Sequence, residues 1–385
     1  MRNLAFQRNR HSGKTMPLVP FMVVMGLLAG CATPKPVELT WPLPPDEPKI
    51  KFVKSISSSR DVEKQSFGKV LGEGIMGARS DARLAKPYAV HRDREGRLFV
   101  TDSAWPAVLV FDEKKKKFTL IGLEGPGVLV KPMGVTTDSA GRIYVTDTLQ
   151  NRAVVYDRDG QFLLGIGGKD RFDQPVGIVV NDDLNRVYIV DTKKHNVSVF
   201  DSQDGAFLFD FGGRGVEAGQ LNWPTNIAMN RDGRLYVMDT FNFRVQAFDA
   251  DGKFVMQFGG IGTGLGKFAK PKGIAVDSEG NLYVVDASFN NIQIFNPEGQ
   301  LLLFFGGFGN QPGELWLPAG MAIDQDDRIY VADQYNHRIN IYQYISENYK
   351  ARNPEEAKKI KEAAPKEAPK EAPKEAPKEA PKEVK

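Results

Sequence analysis

Residues Pro224–Gly260 read PTNIAMNRDGRLYVMDTFNFRVQAFDADGKFVMQFGG. Four apolar runs, Ile227–Met229, Leu235–Met238, Val245–Phe248 and Phe254–Phe258, are separated by Asp/Gly punctuation. Alternating runs this short, bounded by Asp-Gly turns, predict antiparallel strands joined by tight connections.

The same phrase recurs along the chain. Its leading proline returns at Pro87, Pro132, Pro175, Pro224, Pro271 and Pro318. The aspartate closing the second run returns at Asp102, Asp147, Asp191, Asp239, Asp286 and Asp333, in steps of 45, 44, 48, 47 and 47 residues. That period is one blade of a propeller. A four-stranded sheet with two apolar faces cannot bury them alone, so the copies must stack radially. The expected fold is all-β: a six-bladed β-propeller of four-stranded antiparallel blades spanning residues 49–345.

The phrases GRLYVMDTFNFRVQAFD, GNLYVVDASFNNIQIF and DRIYVADQYNHRINIY resemble NHL repeats. The family pattern G-x-L-Y-V-x-D-x-x-N-x-R is complete or nearly so in blade 4 (Asp239, Asn242, Arg244) and blade 6 (Asp333, Asn336, Arg338). It is partial in blade 2 (Asp147, Gln150, Arg152) and eroded in blades 1, 3 and 5. Because these aspartates and arginines occupy fixed repeat positions, inter-strand hydrogen bonding is their expected use. Propellers of this kind host many functions, so function must be argued from the loops and the channel.

Both ends of the chain carry other signals. A basic segment from Arg2 to Lys14 precedes an apolar run, Met16 to Leu28, shorter than a comfortable bilayer span. Leu28-Ala29-Gly30-Cys31 resembles a bacterial lipobox, which implies cleavage of residues 1–30 and acylation of Cys31, the chain's one cysteine. Lipid chains on that thiol would anchor the protein to the cell envelope without a transmembrane helix. Ala32, where an aspartate would resemble an inner-membrane retention signal, favours the outer membrane. Losing the four basic leader residues takes the net charge from +3 to −1, which gives no support for nucleic-acid binding.

Residues 31–48, with six prolines, read as an extended tether. Ile50–Ser57 alternates like a strand but has no blade of its own, and blade 6 supplies only three strands. Residues 50–57 are therefore expected to close the ring as the outer strand of blade 6. Arg60–Lys86 would connect this strand to blade 1. The segment 346–385 reads as a short helix, Asn353–Ala363, capped by Asn353 with Pro354 at its first position. A PKEA array with proline every four residues follows and forbids further helix, leaving a disordered spacer.

In propellers the loops between strands two and three share a face with the blade-to-blade connections. Their tips here are Trp105, Gln150, Lys193, Lys194, His195, Phe241, Phe243, Phe289, Asn290, Tyr335 and His337. Aromatics around such a ring suit a protein, peptide or envelope-glycan partner. Four residues beyond each leading proline the series reads His91, Thr136, Val179, Ala228, Ala275, Ala322, so His91 and Thr136 are expected in the channel. Resemblance to six-bladed lyases and lactonases implies an alternative, a metal-dependent enzyme holding zinc or calcium at the channel mouth. After the leader only His91, His195 and His337 remain, spread over blades 1, 3 and 6, and zinc needs three or four converging ligands. No catalytic residue, metal ligand or cofactor is therefore assigned. The reading is a monomeric, lipid-anchored recognition or scaffold ring, with an envelope spacer built on the two tails as a further alternative.

Overall fold

The computed structural model describes residues 39–43, 46–63 and 82–363. The leader, Cys31, most of the blade-1 approach and the PKEA array lie outside the described residues.

Each repeat phrase folds as one antiparallel sheet, and six sheets form the ring. Blade 1 comprises Pro87–Arg92, Arg97–Asp102, Val108–Asp112 and Lys117–Ile121. Blade 4 comprises Ile227–Met229, Leu235–Asp239, Arg244–Phe248 and Phe254–Gly259. The middle two strands of every blade are almost wholly buried, because both of their faces meet neighbouring blades. Six apolar clusters result, each shared between adjacent sheets. One joins Tyr283, Val285 and Ile292 of blade 5 to Ile329, Val331 and Tyr342 of blade 6. The tyrosine of the L-Y-V phrase recurs as Tyr144, Tyr188, Tyr236, Tyr283 and Tyr330, all buried. Burying such a ring is worth about 1.5–3 kcal/mol. Its hydroxyl meets a polar group at the blade's turn, as Tyr330 does by donating to Asp324 Oδ2 at 2.9 Å.

In the registers the leading proline pairs with the repeat aspartate, Pro87 with Asp102 and Pro318 with Asp333. The start of strand one and the end of strand two therefore lie on one side of the ring. That side carries the blade-to-blade connections and the strand 2–3 loops, and is called the connection face below. The tight turns between strands one and two and between strands three and four form the opposite hairpin face. Asn230–Gly233 and Asp277–Gly280 are such turns, with glycine at φ +79° and +87°.

Ile50–Ile56 closes the ring. It pairs antiparallel with Arg338–Tyr344, Ile50 opposite Tyr344 and Ile56 opposite Ile339, as the outer strand of blade 6. The expected tether is shorter than its proline content suggests. Thr40–Trp41 adds a fifth strand, with Phe52 N donating to Leu39 O at 2.8 Å and Lys49 N to Trp41 O at 2.7 Å. Trp41 packs its ring against Phe305 and Tyr342, with centroids 5.9 and 5.8 Å away. Proline removes donors only where it stands. Leu39 to Trp41 carry no proline and are free to pair.

The other end is also more structured than expected. Two helices, α1 (Glu347–Arg352) and α2 (Pro354–Ala363), follow the last strand. Ser346 caps α1, accepting from Tyr349 N at 3.0 Å and donating to Asp327 Oδ2 at 2.6 Å, which pins the helix to the hairpin face. Pro354 opens α2 as expected, whereas the Asn353 amide donates to Tyr349 O at 2.9 Å, at the end of α1. Lys51 on the closing strand donates to Tyr349 at 2.7 Å and pairs with Glu356 of α2. No helix among the described residues is long and apolar enough to cross a membrane.

Because the first strand in the chain completes the last blade, deleting residues 39–56 should leave blade 6 an open, three-stranded edge. We expect loss of a single cooperative unfolding transition in urea for that deletion. Trp41→Ala should retain the ring but lose about 2–4 kcal/mol.

Candidate functional site

The connection face is built on the repeat aspartates. All six are fully buried. Each aims its carboxylate at backbone N–H groups of the connection entering its own blade. Asp102 Oδ2 accepts from Ala85 and Lys86 at 2.7 and 2.8 Å, Asp147 from Val130 at 2.6 Å and Asp191 from Asp173 at 2.7 Å. Asp239 accepts from Asn222 at 2.6 Å, Asp286 from Ala269 at 2.7 Å and Asp333 from Trp316 at 2.7 Å. In blades 4 and 6 the arginine completes the lock. Arg244 Nε donates to Asp239 Oδ2 at 2.8 Å, while its Nη2 donates to the carbonyls of Glu217 and Gln220. Arg338 repeats this with Asp333, Gln311 and Glu314. The expected inter-strand role is thus one part of a wider one, that of strapping the connection to the blade.

Several expected ligand-facing tips belong to this scaffold. Gln150 stands in for the repeat asparagine, donating to Val128 O at 2.7 Å and Asp147 Oδ2 at 2.9 Å. Trp105 is half-buried against the blade 1–6 cluster, with Nε1 donating to Arg83 O. Phe243 packs into the blade 4–5 cluster. Asn151, His195, Phe243, Asn290 and His337 share one loop position with φ between 51° and 57°. Asparagine tolerates that left-handed conformation well. From that position the side chain reaches the next blade. His195 Nδ1 accepts from Trp223 N at 3.1 Å, Asn290 Oδ1 accepts from Leu317 N at 2.8 Å, and His337 Nδ1 meets Ala85 O. Two of the three histidines are therefore inter-blade ties that do not converge. His195 is buried, and that burial, with Arg214 nearby, holds its pKa below the usual imidazole value.

What stays exposed on this face is apolar and aromatic. Phe241 stacks on Trp223 with centroids 5.5 Å apart, and Tyr335 lies 5.7 Å from Trp316, which meets Phe308 edge-on. Phe241 is 57% exposed and Tyr335 46%, while Val216, Ile261, Leu265 and Phe308 on the connections are 65–75% exposed. Lys193 and Lys194 are exposed too, and Lys194 donates to Arg171 O at 2.7 Å. Phe289 is half-buried. Reading only the strand 2–3 loops missed the contribution of the connections. Their signal was an apolar residue one to five places beyond the Gly-Gly pair.

The inner strands line a channel of about 170 Å³ that includes His91, Thr136, Val179, Ala228, Ala275 and Ala322. His91 pairs through Nε2 with the hydroxyl of Thr137 at 2.9 Å, one residue beyond Thr136. It also borders the hairpin-face mouth, where Arg92 pairs with Asp324 and Arg94 with Asp182. Among the described residues no three His, Cys, Asp or Glu side chains group as a metal site. A larger cleft of about 690 Å³ opens at the rim between blades 1 and 2. There Thr119 and Ile121 occupy the outer-strand places that Phe209 and Phe211 fill in blade 3, so the wedge between blades is left unfilled.

Burial depresses His91 to about 4, against 6.5 for a free imidazole. Between those values the unfolded chain binds a proton that the ring does not, so stability falls as pH drops from about 6.5 towards 4 and is intact above that window. His91→Gln should keep the Thr137 bond and flatten this slope. The difference from wild type is expected to be about 1–3 kcal/mol, read from urea titrations at the two ends of the window.

A model described as NHL repeat matches residues 172–200 and 315–342, and one described as 6-bladed beta-propeller matches residues 217–288. Comparison with curated proteins finds no match. Among solved structures, virginiamycin B lyase from Staphylococcus aureus superposes with a TM-score of 0.52 at 17% identity, covering 68% of this chain and 96% of that one. A gluconolactonase from Xanthomonas campestris gives 0.53 at 17% identity, covering 76% and 98%. An auxiliary nutrient binding protein from Bacteroides thetaiotaomicron gives 0.53 at 16% identity, covering 69% and 71%. At these identities the likeness is one of fold. The chain carries NHL repeats and folds as a six-bladed β-propeller.

Proposed function

We propose that this ring is a recognition module of the cell envelope, held by a lipid on Cys31 and binding a protein, peptide or glycan through its connection face. The observation that carries the reading is the exposure of Phe241, Ile261, Leu265, Phe308, Trp316 and Tyr335 on one face of a backbone strapped by buried carboxylates. Exposed aromatics on a rigid support suit binding, because little side-chain freedom is lost on contact. The fold is shared with a protein described as nutrient binding, and equally with a lyase and a gluconolactonase. A catalytic reading would centre on the channel mouths. Stoichiometric zinc or calcium in chain purified without chelator would favour it.

Two measurements bear on the proposal. Radiolabelled palmitate should enter the wild-type chain and not Cys31→Ser, whose release from the membrane fraction should follow; equal labelling would remove the anchor. The Phe241→Ala, Tyr335→Ala double variant should unfold like wild type. It should bind purified peptidoglycan or envelope protein at least about tenfold more weakly, as expected for two aromatic anchors. Capture undiminished in that variant would overturn the assignment of the face.

A further inference from the structure

One place beyond each leading proline the chain reads Tyr88, Met133, Val176, Thr225, Lys272 and Ala319. Blade 5 alone puts a charge there, at the connection-face end of the channel. Lys272 is half-buried, and its ammonium donates to a neutral acceptor, Gln334 Oε1, at 3.3 Å. The charges closest to it in effect are those of Lys270 and Lys86, and burial together with these two pushes it down to about 8. Lys86 lies over the ring of Tyr335, 5.9 Å from its centroid, beside Gln334. Thr225 and Thr240 add hydroxyls 2.7 Å apart, the former donating to Lys272 O at 3.3 Å.

The repeat carboxylates of blades 5 and 6 are already committed. Asp286 accepts from Ala269 and Lys270 N–H groups, and Asp333 from Trp316 N–H and Arg338. A purely structural ammonium at this depth would be expected to have an acid beside it, since burial and like charge both work against its charged form. Among the described residues no carboxylate pairs with Lys272, and the neighbouring charges are those of Lys270 and Lys86, an arrangement that an anion would complete. Such perturbed, like-charged clusters in a concave mouth mark binding sites.

We propose that the connection-face mouth of the channel binds an anionic group of the ligand, a carboxylate or a phosphate, with Lys272 as the direct contact and Lys86 and Lys270 as surrounding charge. The group enters from the connection face, and the channel of about 170 Å³ beyond has room for an anionic head and not for a chain. The exposed rings of Tyr335 and Trp316 lie beside the mouth and would meet the body of the same ligand. This assignment rests on the connection face being the recognition surface, and it adds the chemistry that surface selects.

The test is titration calorimetry of the full chain at neutral pH and constant ionic strength, with sodium phosphate and sodium glucuronate as separate probes. At least one should bind saturably, and the tighter of the two tells phosphate from carboxylate. Lys272→Met should weaken that binding by about tenfold or more, and Lys272→Arg by no more than about threefold, the scale of one charge-assisted hydrogen bond lost or kept. Lys86→Ala and Lys270→Ala should each cost about two- to fivefold through unscreened charge. Lys253→Ala, on a hairpin-face turn, serves as the control and should change nothing. No saturable binding of either probe, or wild-type affinity in a folded Lys272→Met chain, would overturn the site. Neither probe is the native ligand, so this result stands apart from whether the aromatic variants lose peptidoglycan or envelope protein.

Discussion

A buried carboxylate at the end of strand two, satisfied by the N–H groups of the connection that enters the same blade, is the bond on which the ring depends. It occurs in all six blades. An ion in this position is costly to desolvate and must be fully hydrogen-bonded, so it tolerates few alternative loop conformations. Each connection is thereby held against its own blade. Removing one carboxylate would leave several buried donors unpaired, a penalty of about 3–5 kcal/mol. The arginines of blades 4 and 6 spread the same lock to two and three carbonyls of the connection, respectively.

Neighbouring blades are then joined twice, by apolar clusters between the middle strands and by polar ties between loop tips. His195, Asn290 and His337 are such ties. Their left-handed loop position turns the side chain towards the following connection, where a nitrogen or amide oxygen finds a backbone partner. A histidine used this way has no freedom to join a metal or a catalytic group. The side chains left over are those the lock does not need: the aromatic tips, the apolar connection residues and the lysines around the channel mouth. Function on this scaffold is written in what the repeat leaves unoccupied.

Closure joins the two ends of the domain. Ile50–Ile56 completes blade 6 by pairing with Arg338–Tyr344, and its further contacts come from outside the repeats. Thr40–Trp41 pairs with its outer edge, and Lys51 reaches Tyr349 and Glu356 in the C-terminal helices. The edge that would otherwise invite strand addition is thus covered in part by the chain that leads to it. Among the described residues the N-terminal approach packs at the outer rim of blade 6 and the helices sit on the hairpin face.

The repeat phrase by itself determined the blade count, the strand order and the closing strand. Those follow from period-2 burial and from six recurrences at a blade-length spacing. Position differences within the repeat also pointed to His91, and the same comparison one place after the proline singles out Lys272. What only the tertiary structure decided is which polar and aromatic residues are spent. Trp105, Gln150 and Phe243 read as exposed tips, and each is drawn into the scaffold by a partner 20 or more residues away or by the next blade. The docking of Trp41 was equally hidden, because its pocket is made by Phe305 and Tyr342 from two different blades. Local pattern records which face of a strand is apolar. Whether a loop side chain ends in solvent or against a neighbour depends on contacts between blades, and these exist only once the ring has closed.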